Sequence, residues 1–346
     1  MTEKSIYRLN DFEFNLPEEL IAQFPEERRD RSRLLVLHRD GGRIEHRRFD
    51  ELPDYLRAGD LMVLNDARVF PARVIFRRES GGAVEFILTR RLEDRRWRAI
   101  CNRTKRMRVG ETLHAWKDPG VRVRIAGKDG DGIELLAERA LDDELLDRIG
   151  SLPLPPYIRR NPTALDDERY QTIYASRPGA VASPTAGLHF TDELFRRLEL
   201  AGVGRAFLSL FVSWGTFQPV REEDLSLHRM HAELYELSEA SAVRINKARA
   251  AGARILAVGT TSLRVLEATF RDGANVPGSG ETDIFIYPPR AIKSADALLT
   301  NFHTPRSTLL MLACSFAGYE AVMRAYRTAV AERYRFFSYG DAMLIL

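Results

Sequence analysis

Nine residues, Ala182-Ser183-Pro184-Thr185-Ala186-Gly187-Leu188-His189-Phe190, put a turn, a flexible backbone and an imidazole directly ahead of a helix. Pro184 and Gly187 interrupt regular structure, and His189 brings a group that titrates near neutral pH. Thr191 suits the N-cap of a helix running to Leu200 and stopping at Gly202. Alone, this stretch reads as a tight surface loop with a hydrogen-bonded histidine; the recurrence of similar polar clusters at the ends of apolar runs shifts it toward a site. His228-Arg229-Met230-His231-Ala232-Glu233 gathers two imidazoles and a carboxylate. Helical spacing would set His228 and His231 on one face, as a metal pair lacking a downstream ligand, as proton-transfer groups, or as ordinary hydrogen-bonding side chains. Gly259-Thr260-Thr261-Ser262 follows an apolar run and precedes a helix-like stretch, Leu263 to Ala268. Its backbone N–H groups and three hydroxyls form either a cradle for a phosphate, carboxylate or ribose, or a well-capped helix start. The glycine spacing and lysine of a Walker loop are missing.

Two further clusters stand at the ends of apolar segments. Thr282 to Tyr287 places Asp283 at the start of an apolar strand. In Thr300 to Ser307, Asn301 and His303 alternate with the strand period and so are expected to face one cavity. Ser307 caps a helix that continues through Phe316 to Gly318 and is apolar on all sides, a core helix.

The elements that must position these residues fall into two patterns. Pro17 to Ala22 reads as a short helix and Leu34 to Leu37 as a strand. Leu61 to Leu64 reads as a buried strand ending in Asn65-Asp66 with Arg68 beyond, a common ligand position. After Ser151, apolar runs at 206–212 and 255–258 alternate with a helix from Ser241 to Ala251. Between them, strands such as Ala83 to Leu88 and Val121 to Ile125 alternate in polarity, separated by Gly81-Gly82, Asp118-Pro119-Gly120 and Asp129-Gly130-Asp131-Gly132. The expected architecture is a discontinuous α/β catalytic domain of mixed α+β character, residues 1–72 and 150–346, with a small all-β barrel inserted at 73–149. Leu152 to Tyr157, rich in proline, is the stiff return link.

With 346 residues, 45% hydrophobic and 29% charged, the chain has the composition of a globular protein with a sizeable core. The apolar stretch Leu309 to Ala317 is too short to span a bilayer, and the N-terminus leads to no apolar signal region, so a cytoplasmic enzyme away from membranes is expected. Cys101 and Cys314 exclude a disulfide framework and a multi-cysteine zinc site, and Cys314 reads as core. The net charge of +3 is unevenly spread, with eleven basic residues against four acidic ones from Arg77 to Arg108. That face is either a solvated barrel surface or a contact for nucleic-acid phosphates.

Together these segments resemble one family from nearly end to end, the S-adenosylmethionine:tRNA ribosyltransferase-isomerases of queuosine biosynthesis. The resemblance rests on Arg31 to Val36, Gly59-Asp60-Leu61, Leu64 to Val69, Leu152 to Ile158, Arg169-Tyr170-Gln171-Thr172 and Pro184 to Thr191. It continues through Gly215-Thr216-Phe217, Met230-His231, Ala257 to Arg264, Thr300 to His303, Ser307 to Met311 and Phe336 to Met343. It implies a monomer that transfers and isomerises the ribosyl group of S-adenosylmethionine onto the aminomethyl-deazaguanine (pre-queuosine) at the tRNA wobble position. The products are epoxyqueuosine-tRNA, adenine and methionine, with no metal and no cofactor beyond the co-substrate. It further implies His189, His228, His231 and Asp283 as catalytic groups, His189 and His231 each in a pocket rather than the core. Asn65, Asp66, Arg68, Thr185, Gly187, Thr216, Phe217, Glu233, Thr260, Thr261, Ser262, Arg264, Asn301 and His303 are the expected substrate contacts. Arg95, Arg96, Arg98, Lys105 and Arg106 are the expected tRNA contacts. Departures at Ser183, at Phe211-Val212-Ser213-Trp214 and at Tyr287 to Arg290 bear on substrate choice: Trp214 either stacks on a base or narrows the pocket. The alternatives are a diverged paralogue acting on another acceptor and a non-catalytic tRNA-binding protein.

Overall fold

Leu61–Asn65 is buried at every one of its residues, the pattern of a strand covered on both faces. In the computed structural model, which describes residues 6–130, 132–217 and 220–346, it lies inside a nine-stranded sheet. The order is Gly278–Thr282, Glu233–Leu237, Gly204–Leu210, Leu61–Asn65, Ile255–Val258, Ala297–Asn301, Ala342–Ile345, Arg33–Leu37, Ile44–Arg48. The strands from Gly204–Leu210 to Ala297–Asn301 are parallel neighbours, so their carboxyl ends share one edge. Ala342–Ile345 runs the other way with Ala342 opposite Asn301, and Arg33–Leu37 is parallel to it. The segments that lead into these last two strands, Phe337 to Asp341 and Ser32, therefore reach the same edge.

Alternation along each strand divides the core into two layers. Leu35, Leu37, Val63, Ala257 and Met343 pack against helices Glu239–Ala250, Thr260–Thr269, Thr308–Ala317 and Tyr319–Ala331. Leu34, Val36, Leu64, Val258 and Leu344 pack against Phe49, Phe190 and helix Asp192–Leu200. Each fully buried Leu, Val or Phe contributes about 1.5–3 kcal/mol relative to exposure, so a one-residue slip of a central strand would be prohibitive.

Residues 73–137 form a closed six-strand antiparallel barrel. Its strands are Arg73–Arg78, Ala83–Glu93, Arg96–Cys101, Thr112–Ala115, Arg122–Asp129 and Gly132–Ala137. Closure comes from Arg73–Arg78 pairing with Thr112–Ala115, Phe76 opposite Ala115. Inward residues such as Phe76, Phe86, Trp97, Val123 and Leu135 fill the interior, so it is a packed core. The molecule is thus mixed α/β with a β-barrel.

Several local expectations hold. Thr191 Oγ1 accepts from Leu194 N at 3.1 Å and Ser307 Oγ from Leu310 N at 3.2 Å, both as helix N-caps. The helix read as Ser241 to Ala251 is Glu239–Ala250, capped by Ser238. Three readings fail. Pro17 to Ala22 makes only a single 3-10 turn, Glu18–Leu20. Thr282 to Tyr287 is no strand: Gly278–Thr282 ends just before Asp283, and its glycines and polar residues pair with Glu233–Leu237 where an apolar run was expected. His228 to Glu233 is no helix: a 3-10 turn, Leu225–Leu227, gives way to an extended chain entering the strand Glu233–Leu237. Among the described residues no helix is long and apolar enough to cross a membrane.

Candidate active site

At the shared carboxyl edge the chain must leave the parallel strands, and the departing segments wall a cavity of about 390 Å³. Gly259, Thr260, Thr261 and Arg264 come from the turn after Ile255–Val258 and the helix it starts; Thr300, Asn301 and His303 come from the end of Ala297–Asn301. Ser183 to Ala186 form another wall, and Tyr157, Tyr170, Phe337 and Ser338 close it from distant parts of the sequence. Gly259 holds φ 91° and ψ 153°, a conformation that only glycine adopts without strain, and this lets the strand turn directly into the helix. The first N–H groups of that helix have no intrahelical partner and favour an anion.

Arg264 supplies the cavity's buried cation, while Arg306, also in the lining, is exposed and pairs with Glu13. Arg264 is 3% exposed and paired with Glu233, which is 2% exposed and also accepts from Ser213 N at 2.8 Å. Its Nε is buried without a hydrogen-bond partner. Ser183 Oγ and Asn301 Oδ1 are likewise buried and unpartnered, and both residues line the cavity. Tyr157 stacks on Phe337 with centroids 4.3 Å apart, and its hydroxyl lies 2.5 Å from Ser338 Oγ. The cavity therefore offers an aromatic wall, a buried guanidinium and polar atoms awaiting partners.

Of the expected substrate contacts, Thr185, Thr260, Thr261, Arg264, Asn301 and His303 line this cavity. Asn301 and His303 do face it together, although the strand ends at Asn301. His303 Nε2 lies 2.8 Å from Thr300 Oγ1, and burial pushes its pKa down to about 3. Glu233 pairs with Arg264 and does not itself line the cavity. Ser262 is fully buried and donates to Val258 O at 2.8 Å, part of the strand-to-helix turn. Asn65 ties strands together, accepting from Leu210 N at 3.0 Å and donating to Leu210 O at 3.1 Å. Asp66 accepts from Ser209 Oγ at 2.6 Å and Ser176 Oγ at 3.0 Å. Gly187 is a close-approach position, because a Cβ there would collide with Tyr174 and Thr172. Arg68 is exposed and lines a second cavity of about 380 Å³ beside the barrel, with Lys117, Asp147 and Gln171. The side chains of Thr216 and Phe217 lie outside the described residues.

The expected catalytic histidines separate. His189 is 4% exposed and lies outside the lining of this cavity, facing instead a small cavity of about 20 Å³ with Arg29, Ser32 and Ser338. Its ring stacks on Phe49 at 4.8 Å, and burial, reinforced by Arg335 and Arg29 against a hydrogen bond from Asn301, pushes its pKa down to about 3. His228 is half-buried edge-on to Phe285; burial and the neighbouring His231 lower its pKa, with Glu222 opposing. His231 and Asp283 are exposed. None of these three lines the cavity. Trp214 packs against the barrel core and Phe211 lies against Gly179, so neither narrows the cavity.

Sequence reasoning did not single out Tyr157, Tyr170, Phe337 and Ser338 as cavity residues. Their signal was present: an aromatic closing a rigid proline-rich run, and a Phe-Phe-Ser-Tyr-Gly word just before the last strand.

Of the barrel residues, Arg96 pairs with Glu134 at 3.0 Å and Arg98 with Asp129 at 2.8 Å. Arg95, Lys105 and Arg106 are exposed and make no ion pair among the described residues.

The family model for queuosine biosynthesis protein matches residues 9–345. The chain belongs to that family. Among relatives in this queuosine biosynthesis family, the chain is 51% identical to the S-adenosylmethionine:tRNA ribosyltransferase-isomerase of Anaeromyxobacter dehalogenans strain 2CP-C, over 98% of this chain and 99% of that protein. It is 51% identical to the protein of the same name from Symbiobacterium thermophilum, over 98% of this chain and 100% of that one. In three dimensions it is similar to a crystal structure of S-adenosylmethionine tRNA ribosyltransferase from Thermotoga maritima. The TM-score is 0.57 at 40% identity, covering 97% of this chain and 100% of the other.

Proposed function

We propose that this chain is an S-adenosylmethionine:tRNA ribosyltransferase-isomerase acting on the aminomethyl-deazaguanine of the tRNA wobble position. The observation that carries the reading is the cavity at the carboxyl edge, where Arg264, Thr260, Thr261, Asn301 and His303 converge in a queuosine biosynthesis protein. Its volume of about 390 Å³ suits one nucleoside-sized co-substrate.

In the reaction, base removal of a proton beside the sulfonium lets the ribose rearrange. The sugar's bonds to adenine and to methionine sulfur break and its ring oxygen leaves the carbon that the aminomethyl nitrogen captures; a carbon–carbon bond closes the carbocycle and the freed oxygen closes the epoxide as methionine departs, with the protons lost from carbon and nitrogen passing to adenine and solvent. The helix start at Thr260-Thr261 and the nearby Arg264 suit the methionine carboxylate. The Tyr157–Phe337 wall offers a stacking surface for a base. Proton exchange with solvent falls to His228, His231 and Asp283, because His189 and His303 are buried and held neutral. Residues 73–149 act as an inserted domain between 1–72 and 150–346, with Arg95, Lys105 and Arg106 touching tRNA phosphates and Arg96 and Arg98 supporting them. The enzyme works as a cytoplasmic monomer and takes no metal.

The test is incubation of the purified protein with S-adenosylmethionine and tRNA carrying the aminomethyl-deazaguanine, followed by nucleoside mass analysis and assays for adenine and methionine. Epoxyqueuosine with both small products is the expected result. Intact tRNA alongside bound but unconsumed S-adenosylmethionine would replace this reading with action on another acceptor.

A further inference from the structure

Asn301 is 2% exposed, and its amide nitrogen has two neighbours: Phe337 O at 3.0 Å and His189 Nε2 at 3.2 Å. The first fixes the orientation of the amide. A backbone carbonyl only accepts hydrogen bonds, so the atom facing Phe337 O is the NH2 and not the oxygen. The same NH2 faces His189, and an amide nitrogen only donates, so His189 Nε2 must be a bare acceptor. The ring proton therefore sits on Nδ1, 2.7 Å from Ser32 Oγ, which accepts it. Phe49, stacked at 4.8 Å, holds the ring plane, and burial holds the ring neutral. With both amide hydrogens engaged, Oδ1 is left buried and without a hydrogen-bond partner in a residue that lines the cavity.

We propose that Asn301 presents Oδ1 as a fixed acceptor for a neutral N–H or O–H donor of the bound substrate, and that His189, as its Nδ1–H tautomer, is a positioning residue and not a proton-transfer group. This rests on the ribosyltransferase-isomerase reading of the same cavity. Arg29 and Arg335, the latter also paired with Glu26 at 2.9 Å, both act on His189 against a further positive charge, which favours a neutral donor over an ammonium. Ser183 Oγ, also buried and unpartnered, stands ready on the same cavity for a second polar group. The chemistry matches a ribose hydroxyl or a nucleobase N–H.

The test combines spectroscopy on the unmodified protein with kinetics on variants. Nitrogen-15 NMR of the wild-type imidazoles, with His189 assigned by its loss in the His189→Phe variant, reads the tautomer without turnover. The expected result is a proton on Nδ1, retained on S-adenosylmethionine binding; a proton on Nε2 overturns the assignment. In turnover, Asn301→Leu and His189→Phe raise KM for the substrate that supplies the donor by roughly tenfold to a hundredfold, the loss expected for one buried hydrogen bond. His189→Gln keeps an acceptor near the Nε2 position and recovers most of that loss. Equal loss of kcat in His189→Phe and His189→Gln, with removal of one limb of the pH–rate profile, would instead make His189 a proton-transfer group and sink the proposal. So would wild-type KM and kcat in His189→Phe.

Co-substrate analogues lacking either ribose hydroxyl or the adenine amine identify the donor: the analogue whose KM is the same for wild type and Asn301→Leu has lost it. A shift confined to the KM of tRNA assigns the donor to the deazaguanine. Should wild-type protein fail to turn over, the tautomer and calorimetric S-adenosylmethionine binding by Asn301→Leu still decide this inference separately from the overall reaction.

Discussion

Arg264 with Glu233 beside the cavity and Arg98 with Asp129 on the barrel are the same two chemical groups in contact, yet they do opposite kinds of work. The first pair is 4% and 1% exposed at its side chains, the second 49% and 85%. In the buried pair each charge has lost its water and depends on the other, so the contact fixes where the guanidinium points. On the barrel, water screens both partners, and a carboxylate within reach mostly cancels an arginine that would otherwise attract an anion. Burial makes a polar group specific, while exposure leaves it available.

Removing one member of the buried pair tests this contrast most strongly. Glu233→Ala strands the Arg264 cation and is expected to cost about 3–5 kcal/mol of stability, whereas Asp129→Ala is expected to cost about 1 kcal/mol or less. Thermal or urea unfolding of the two variants measures the difference, and equal shifts would erase the distinction between the regions. Next in size is Gly259→Ala. A side chain at φ 91° and ψ 153° carries strain of about 1–3 kcal/mol, and it would shift the helix start carrying Thr260 and Thr261. Gly130, also at positive φ but on a barrel turn with open space around it, is the control: its variant should lose stability without losing S-adenosylmethionine affinity.

Acid separates the regions in another way. His189 and His303 have folded pKa values near 3 against an ordinary 6.5, because burial disfavours the imidazolium. Between those values the unfolded chain binds protons that the folded one does not. Their contribution is thus fully present above about pH 6.5 and is lost as pH falls toward 3, at up to about 1.4 kcal/mol per pH unit for each group. Urea midpoints from pH 7 to pH 5 should fall accordingly, and the fall should be shallower in His189→Phe than in wild type. A slope unchanged by that substitution would show that His189 does not titrate on unfolding.

The sheet-end cavity was legible wherever an apolar run stops at a polar word: Val258 before Gly259-Thr260-Thr261, Leu299 before Thr300-Asn301. Side-chain period and N-cap chemistry are local, so the strands and the caps at Thr191 and Ser307 could be read directly. The depth of His189 could not. Its loop passes under Phe49 and Ser32, residues 140 or more positions away in sequence, and only tertiary packing makes a loop histidine a core one. The same cause hid Tyr157 and Phe337, which stack together in the cavity lining from separate segments. Asp283 was misplaced for a different reason, since the apolar composition of Ile284 to Tyr287 imitates a strand while the paired residues lie just before it.

The smallest effect on stability is expected on the barrel, where it exposes a functional difference. Arg95, Lys105 and Arg106 are exposed and free of ion pairs among the described residues, whereas Arg96 and Arg98 already face Glu134 and Asp129. Replacing the first three with alanine should change stability by no more than about 0.5 kcal/mol, because no packed or paired group is lost. If they contact tRNA phosphates, the slope of log affinity against log salt should fall by about 0.7 to 0.9 for each contact removed. The Arg96→Ala, Arg98→Ala double variant should reduce the slope less per residue, since each of its cations is partly neutralised by a neighbouring carboxylate. Filter binding of tRNA across a salt series measures both slopes. If the double variant lost as much per residue as the triple, the carboxylates would not be cancelling the arginines, and availability would have to come from shape rather than from charge.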